Sequence, residues 1–238
     1  MLKAMIQKIE EMAAPKTYDV DGSVYASKDL VHIQDKKTRP HCIDVTGLDS
    51  ICKLVREEQD HLGLHIFIQV KNYREVAVFT TLDSDEERFD LYRCLADVPK
   101  VTIGQYMSYE NAVIELRSLY IPGTDTEYLL KLLSSISSES KVTSSDNGVT
   151  QKVEAKSGIA LNSVVEIKPR VNLQPFRTFL EVPQPDSDFL LRISDRGEVG
   201  LFQADGGAWK LEATRNIASY FEHEMKDLIE KGFVTVIR

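Results

Sequence analysis

Apolar residues recur every three or four positions in four segments of the first half of the chain. This spacing predicts amphipathic helices over residues 2–13, 48–63, 110–119 and 124–136. Thr46, with Asp49 three residues later, predicts a capping box at the start of the second helix. Strand-type alternation is found over 23–34, 64–70, 75–82 and 101–107. The polar loop at 71–74 predicts that the second and third of these strands form a β-hairpin.

The second half of the chain is dominated by strand-type segments that Pro and Gly residues separate. These segments are 149–156, 159–168, 171–182, 188–194 and 198–204. An apolar stripe over 211–231 predicts a long helix, which Gly232 ends before a last strand at 233–237. The elements together predict an α+β fold, with a mixed α/β first part followed by an antiparallel β-meander with a long C-terminal helix.

A serine-rich segment separates the two halves. Seven of the 17 residues from 134 to 150 are serine, and Asp146-Asn147-Gly148 adds a turn signal. This segment predicts either a domain boundary or a long exposed hairpin. The first alternative gives a mixed α/β part over 1–133, a linker over 134–150 and a β-rich part with the C-terminal helix over 151–238. The second leaves both halves in one shared core.

Composition places the chain among ordinary globular proteins. Its 238 residues are 42% apolar and carry a net charge of −8, and the isoelectric point is about 5.2. A basic footprint typical of nucleic-acid binders is therefore absent at the level of the whole chain. Three cysteines without CxxC spacing indicate a reduced protein, and we expect a cytoplasmic location. The sequence contains no signal peptide and no apolar run of 18 residues, so no membrane association is expected.

Motifs for metal or cofactor binding are missing from the sequence. The cluster His41, Cys42, Cys52, His61 and His65 matches no zinc-ligand spacing. The acidic run that begins at Asp83 fails as a calcium loop, because its sixth and twelfth positions are Arg88 and Cys94. Nucleotide-binding glycine motifs and nucleophile motifs do not occur. We therefore expect no metal, no cofactor and no catalytic residues, which favours a protein that is not an enzyme.

A metal-dependent nuclease is one alternative that the residues leave open. Such sites combine an Asp with a carboxylate-x-Lys pair, and Asp146, Glu166 and Lys168 satisfy that order. The carboxylate-x-Lys pattern occurs five times in the chain, against roughly three expected by chance from its composition. Exposed strands with alternating charge explain the pattern equally well.

Nucleic-acid binding without a motif is a second alternative. Base stacking on aromatic residues within a basic groove is the usual way to hold single strands. The candidate residues for such a groove are Lys168, Arg170, Phe176, Arg177, Arg192, Trp209 and Lys210. Trp209 is expected to be exposed by the Gly206-Gly207 turn. The same region also carries many acidic residues, so a solvated sheet of mixed charge is the competing interpretation.

Several segments of the chain resemble a known family. They are 157–159, 173–185 (LQPFRTFLEVPQP) and 201–210 (LFQADGGAWK), together with 45–51, 76–79 and 108–119. From about residue 40 onward, these segments and their order are similar to the YfdQ-like family of phage- and prophage-encoded proteins of unknown function. The resemblance implies a mobile genetic element as the source and the cytoplasm of a bacterial host as the location. It brings no catalytic residues with it.

The leading functional hypothesis is a non-enzymatic phage or prophage accessory protein. It is expected to act by binding a protein of the phage or the bacterial host in DNA replication, recombination or counter-defence, and to form a homo-oligomer. A nucleic-acid or nucleotide-binding protein, a metal-dependent nuclease and a virion structural protein are the alternatives.

Overall fold

The computed structural model describes residues 2–14, 16–20, 23–26, 40–83, 86–137, 141–146, 151–157, 160–194 and 196–238. The chain divides into two compact units, Met1–Arg39 and Pro40–Arg238. Helices combine with mostly antiparallel sheets, which confirms the predicted α+β class. In these described ranges, no helix is long and apolar enough to cross a membrane.

The first unit contains one helix and one small sheet. Helix α1 (Leu2–Ala13) is followed by strands β1 (Thr17–Val20) and β2 (Ser23–Ala26), which pair in antiparallel fashion. The apolar residues Leu2, Met5 and Ile9 lie on one side of α1 at helical spacing, and their side chains are exposed. The rest of the strand prediction for 23–34 lies outside the described residues.

A five-stranded sheet forms one half of the second unit. Its strands are β3 (Ile43–Val45), β4 (Ile66–Asn72), β5 (Glu75–Thr80), β6 (Asp90–Leu95) and β14 (Val234–Ile237). The spatial order is β14-β4-β5-β6-β3. The three central strands are antiparallel, whereas each edge strand runs parallel to its neighbour. Strands from before and after the serine-rich segment thus lie side by side in this sheet.

Three helices contribute to the core of this sheet. They are α2 (Leu48–Leu62), α5 (Ala208–Glu224) and α6 (Lys226–Glu230). Alternate strand residues such as Ile66 and Ile68 are buried and share one core with Ile51 of α2 and Phe221 of α5. The alternation in β4 leaves the other face of the sheet partly open, because strand side chains point to opposite faces in turn.

A four-stranded sheet forms the other half of the second unit. Its strands are β7 (Tyr106–Met107), β11 (Arg170–Leu173), β12 (Ser187–Ile193) and β13 (Val199–Gln203), in the order β11-β12-β13-β7. Helices α3 (Tyr109–Ser118) and α4 (Thr124–Ser137) share its core. Phe189 and Leu191 of β12 contribute to that core together with Leu116 and Leu133 of the helices. The pairing β11-β12-β13 is the antiparallel meander that the sequence predicted.

The serine-rich segment contributes one strand to a separate three-stranded sheet. Strands β8 (Lys141–Asp146), β9 (Gln151–Ser157) and β10 (Ala160–Ile167) pair in the antiparallel order β10-β9-β8. The backbone of the described residues therefore has consecutive hairpin pairings here.

Two predicted strands are shorter in the structure than the sequence indicated. The predicted strand 171–182 ends at Leu173, and residues 174–186 form a loop. The side-chain carbonyl of Gln184 accepts hydrogen bonds from the backbone N–H groups of Arg177 and Thr178, and these bonds close the loop in place of a strand partner. Of the predicted strand 101–107, only Tyr106 and Met107 pair.

The predicted start of helix α2 at residue 48 is confirmed, but its predicted cap, Thr46, is wrong. The helix begins at Leu48, and its N-cap residue is Gly47, which offers no side chain for capping. The carboxylate of Glu181 instead accepts a hydrogen bond from the backbone N–H of Leu48 at 2.8 Å. A residue from the loop at 174–186 therefore caps a helix that lies far away in the sequence.

The predicted long helix over 211–231 is divided in two. Helix α5 ends at Glu224, and the short helix α6 begins at Lys226. Met225, which lies between the two helices, is fully buried in the core of the five-stranded sheet. Its side chain therefore stays in that core at the break between α5 and α6.

Candidate interaction surfaces

The open face of the five-stranded sheet carries an aromatic pair. Phe67 of β4 lies directly opposite Phe79 of β5 in the register, and their ring centres are 5.6 Å apart. The neighbouring strand residues Ile68 and Val78 are buried. Because successive side chains of a strand point to opposite faces, the rings of Phe67 and Phe79 point away from the core. Each phenylalanine is half-buried, so part of each ring meets solvent.

An exposed arginine lies over this aromatic pair. The guanidinium of Arg88 is 6.0 Å from the ring centre of Phe67 and 5.8 Å from that of Phe79. These distances allow cation–π attraction to both rings. We call the surface made by Phe67, Phe79, Arg88 and the neighbouring outward residues Gln69, Lys71, Ala77 and Asp90 the Phe67–Phe79 face.

A shallow depression of about 260 Å³ lies in the Phe67–Phe79 face. Ala77 is paired with Gln69, and its small side chain leaves room between the longer residues around it. Phe79 and Arg88 line the depression on one side, and Lys71 and Asp90 also contribute to it. The depression thus combines an aromatic ring with an amide, two cations and one carboxylate.

The outer face of the four-stranded sheet carries a second aromatic pair. Tyr106 of β7 and Phe202 of β13 approach edge to face, with ring centres 5.6 Å apart. Both rings lie over Gly200, where an added Cβ would be only 2.6 Å from Phe202 and 3.1 Å from Tyr106. Glycine at position 200 is therefore what allows the two rings to approach each other.

Two arginines and one leucine border this second pair. Leu190 is opposite Phe202 in the register, Arg192 is opposite Gly200, and Arg170 is opposite Leu190. Arg170 lies 3.6 Å from the carboxylate of Asp188, and Arg192 donates to the carbonyl of Leu191 at 3.0 Å. We call this surface, formed by Tyr106, Arg170, Leu190, Arg192, Gly200 and Phe202, the Tyr106–Phe202 face.

Arg177 and Trp209, both predicted to bind nucleic acid, are buried against each other. The exposed fraction of Arg177 is 5% and that of Trp209 is 6%. The guanidinium lies 3.8 Å from the centre of the indole ring, and the ring of Tyr73 contacts the same indole edge to face at 4.6 Å. The expected exposure of Trp209 is wrong, because the Gly206-Gly207 turn leads directly into the first turn of α5.

A polar chain holds the Arg177 guanidinium. It donates to the hydroxyl of Ser187, which in turn donates to the carboxylate of Asp205 at 2.8 Å. Burial lowers the pKa of Arg177 to about 10, so the side chain remains charged near neutral pH. Partial burial acts to raise the pKa of Asp205, but hydrogen bonds from Gly207, Ser187 and Gln203 outweigh it and hold that pKa below 3.8.

Lys168, Arg170, Phe176 and Lys210, also predicted to bind nucleic acid, each contact a different residue in the structure. Lys168 forms an ion pair with Asp125 at 2.7 Å, and Arg170 lies beside Asp188. Phe176 is half-buried, and its backbone N–H donates to Leu119. Lys210 is exposed and lies 5.7 Å from the ring centre of Tyr73. Nucleic-acid binding by these residues stays a prediction, without the stacking surface that Trp209 was expected to provide.

Of the three residues of the nuclease hypothesis, Asp146 lies in β8, Glu166 lies in β10 and Lys168 follows β10 directly. Asp146 pairs with Gln151, whereas Glu166 pairs with Lys152, so the two acidic positions are one residue out of register. Strand β9 also lies between their strands. The side chains of Asp146 and Glu166 lie outside the described part of the structure, so the nuclease site stays a prediction. Lys168 is meanwhile paired with Asp125.

Cysteine and histidine residues show no metal centre in the described part of the chain, where no three His, Cys, Asp or Glu side chains converge. Cys52 and Cys94 are buried, and burial raises the pKa of each thiol to about 12. Cys42 is exposed. His65 shares a hydrogen bond of 2.7 Å with the carbonyl of Gly232.

Sequence reasoning missed the residues that form the two aromatic faces. Phe67 and Phe79 occupy the outward phase of strands that were correctly predicted, and this phase is a usable signal. Tyr106 and Gly200 come together only through the pairing of β7 with β13, for which the sequence pattern offers no signal.

Comparison with known proteins adds no family. A scan against protein-family models finds no match, and searches of curated proteins and of solved structures find no significant match. The resemblance to the YfdQ-like phage family therefore stays a prediction based on the segments given above.

Proposed function

We propose that this chain is a non-enzymatic phage or prophage accessory protein that binds a protein partner through the Tyr106–Phe202 face. The partner is a protein of the phage or its bacterial host that acts in DNA replication, recombination or counter-defence. The phage context rests on the sequence resemblance alone, whereas the binding role rests on the surface.

The observation that carries the proposal is the aromatic pair held over Gly200. Tyr106 lies in the two-residue edge strand β7 and is 47% exposed, and the ring of Phe202 contacts it from the neighbouring strand. Aromatic residues and arginine are enriched at the centres of protein interfaces, because they bury much area and keep a polar group for hydrogen bonding. Arg170 and Arg192 lie on the strands beside the aromatic pair, so this face combines the two residue types.

The whole chain carries a net charge of −8, but two arginines lie at the border of the Tyr106–Phe202 face. On the face itself, Arg170 and Arg192 favour acidic groups of the partner at the border of the contact. A homo-oligomer that uses the same face is part of the proposal, since a two-fold interface needs only one self-complementary patch.

Site-specific photo-crosslinking tests this proposal in the bacterial host. A photoreactive phenylalanine analogue replaces Tyr106 in one variant and the exposed Leu211 of α5 in a control variant. We expect position 106 to give a defined crosslinked species that position 211 does not give, and Arg192→Glu to remove it. A crosslinked dimer identifies a homo-oligomer, and a heavier species identified by mass spectrometry gives the partner. Absence of any species specific to position 106 in several hosts contradicts the proposal.

A further inference from the structure

We propose that the Phe67–Phe79 face is a binding site for single-stranded nucleic acid. This inference is independent of the protein-binding role proposed above, because it concerns the opposite half of the second unit. It also differs from the site predicted from the sequence, whose central residues Arg177 and Trp209 are buried.

Stacking is the first part of the argument. Phe67 and Phe79 lie on adjacent central strands of an open sheet and expose part of their rings side by side. Domains that bind single strands on a sheet place aromatic residues at such positions, because a base offers a π-face whatever its identity. Two neighbouring rings suit one or two consecutive bases.

Charge is the second part of the argument. Arg88 is exposed, and in the described part of the structure it forms cation–π contacts with both phenylalanines and no ion pair. Lys71 is also exposed, and its ammonium lies 3.4 Å from Glu75, a carboxylate that Arg93 shares at 3.2 Å. The guanidinium and the ammonium both line the depression, where they can bind the phosphates of a strand whose bases stack on the rings.

The depression is the third part of the argument. Its volume of about 260 Å³ accommodates one planar base above Ala77. Gln69 offers both a donor and an acceptor to the edge of that base, whereas Asp90 offers only acceptors. A carboxylate accepts from an exocyclic amino group, as the amino group of cytosine provides, and it repels the carbonyl oxygens of thymine or uracil. We therefore expect cytosine-rich strands to bind more tightly than thymine-rich strands.

Fluorescence anisotropy of labelled 12-mers measures this binding, with the full chain at up to about 100 µM, the range of weak non-specific complexes. Oligo-dC, oligo-dT and oligo-rC are the probes, and the last separates RNA from DNA. With two phosphate contacts, raising the salt from 50 to 200 mM weakens binding about sevenfold. Phe79→Leu is expected to weaken it about fivefold or more, because the apolar volume remains and the stacking surface is lost.

Arg88→Gln and Asp90→Asn keep the test decisive if Phe79→Leu impairs folding. Arg88→Gln is expected to weaken binding and to lower the slope of its salt dependence by about the amount that one phosphate contact contributes. Asp90→Asn is expected to remove the preference for oligo-dC over oligo-dT. Lys226→Gln, an exposed lysine of α6, and Tyr106→Leu, on the other face, are matched controls that should leave binding unchanged.

Three results overturn the inference. They are no binding at 50 mM salt, binding that Arg88→Gln leaves unchanged, and equal losses in Arg88→Gln and Lys226→Gln, which would indicate non-specific charge attraction. Since Tyr106→Leu tests the face of the proposed function separately, failure of one proposal is distinguishable from failure of the other.

Discussion

The guanidinium of Arg177 lies over the ring of Trp209, 3.8 Å from the ring centre, and both side chains are almost completely buried. Arg177 comes from the loop at 174–186 and also contacts Phe189, which lies in the core of the four-stranded sheet. Trp209 lies in the first turn of α5, and this helix packs in the core of the five-stranded sheet. This contact therefore joins the two halves of the second unit. The positive charge of Arg177 is balanced by the carboxylate of Asp205. The two groups are connected by hydrogen bonds through the hydroxyl of Ser187 and do not form a direct ion pair with each other.

A double-mutant cycle measures the coupling between Arg177 and Trp209. Arg177→Met keeps most of the volume and removes the charge, and Trp209→Leu keeps an apolar group and removes the ring. We expect a coupling free energy of about 2 kcal/mol, because a desolvated cation–π contact is stronger than an exposed one. Urea unfolding of the four proteins gives the value. A coupling no larger than that of the exposed pair Arg170 and Asp188 contradicts the prediction.

Acid sensitivity is expected from Asp205. Its pKa is lower in the folded state than the ordinary value of 3.8, so the unfolded chain binds the proton more readily. The stabilisation is therefore complete above about pH 4 and is lost as the pH falls through the lowered pKa. Asp205→Asn should reduce the free energy of unfolding by about 1 to 2 kcal/mol at pH 7, and by less at pH 3.

Urea unfolding at the two pH values checks this prediction. Asp186→Asn is the matched control, since Asp186 is exposed, and its effect should stay within about 0.5 kcal/mol at pH 7. A loss in Asp205→Asn that is as large at pH 3 as at pH 7 would show that charge is not the cause.

Gly200→Ala should destabilise the four-stranded sheet. The added methyl group meets Phe202 at 2.6 Å, so the ring or the strand has to move, at a cost of about 1 to 3 kcal/mol. The double variant Gly200→Ala with Phe202→Leu should recover part of this loss, because the shorter side chain leaves space. Thermal unfolding compares the three proteins, and equal stability of Gly200→Ala and wild type would refute the close contact.

Thiol reactivity should distinguish the three cysteines. Cys52 and Cys94 are buried with a pKa of about 12, so almost no thiolate is present at pH 8. Cys42 is exposed and should react with an aromatic disulfide reagent in the native protein. We expect one thiol to react rapidly and the other two only after unfolding. Rapid loss of two or more thiols, located by peptide mapping, would contradict the burial of Cys52 and Cys94.

Local sequence patterns predicted most elements but not their exact pairing. The hairpin of β4 and β5 was expected, and a symmetric loop at 71–74 would place Phe67 opposite Val78. In the structure Asn72 pairs with Glu75, so the turn is shorter, and an irregularity between Val70 and Asn72 then places Phe67 opposite Phe79. A shift of one residue would exchange the two faces of a strand, so the contact between Phe67 and Phe79 depends on the observed register.

Contacts between distant segments explain the remaining differences. Thr46 looked like a capping residue, yet the carboxylate that caps α2 comes from Glu181, which no local pattern connects to Leu48. The buried position of Trp209 likewise depends on Arg177 and Tyr73, which come from two other loops. Both candidate faces are made by strand pairing, so the sequence contained their residues without indicating their proximity.

The parallel pairing of β14 with β4 has a consequence for folding kinetics. Val234 pairs with Ile66, so one of the last segments of the chain completes a sheet whose centre belongs to the first half. Contacts of such large sequence separation raise the contact order and slow folding. Until β14 arrives, β4 is an unprotected edge with free backbone donors and acceptors, and such edges promote association between nascent chains. Pairing with β14 therefore covers the exposed edge of β4.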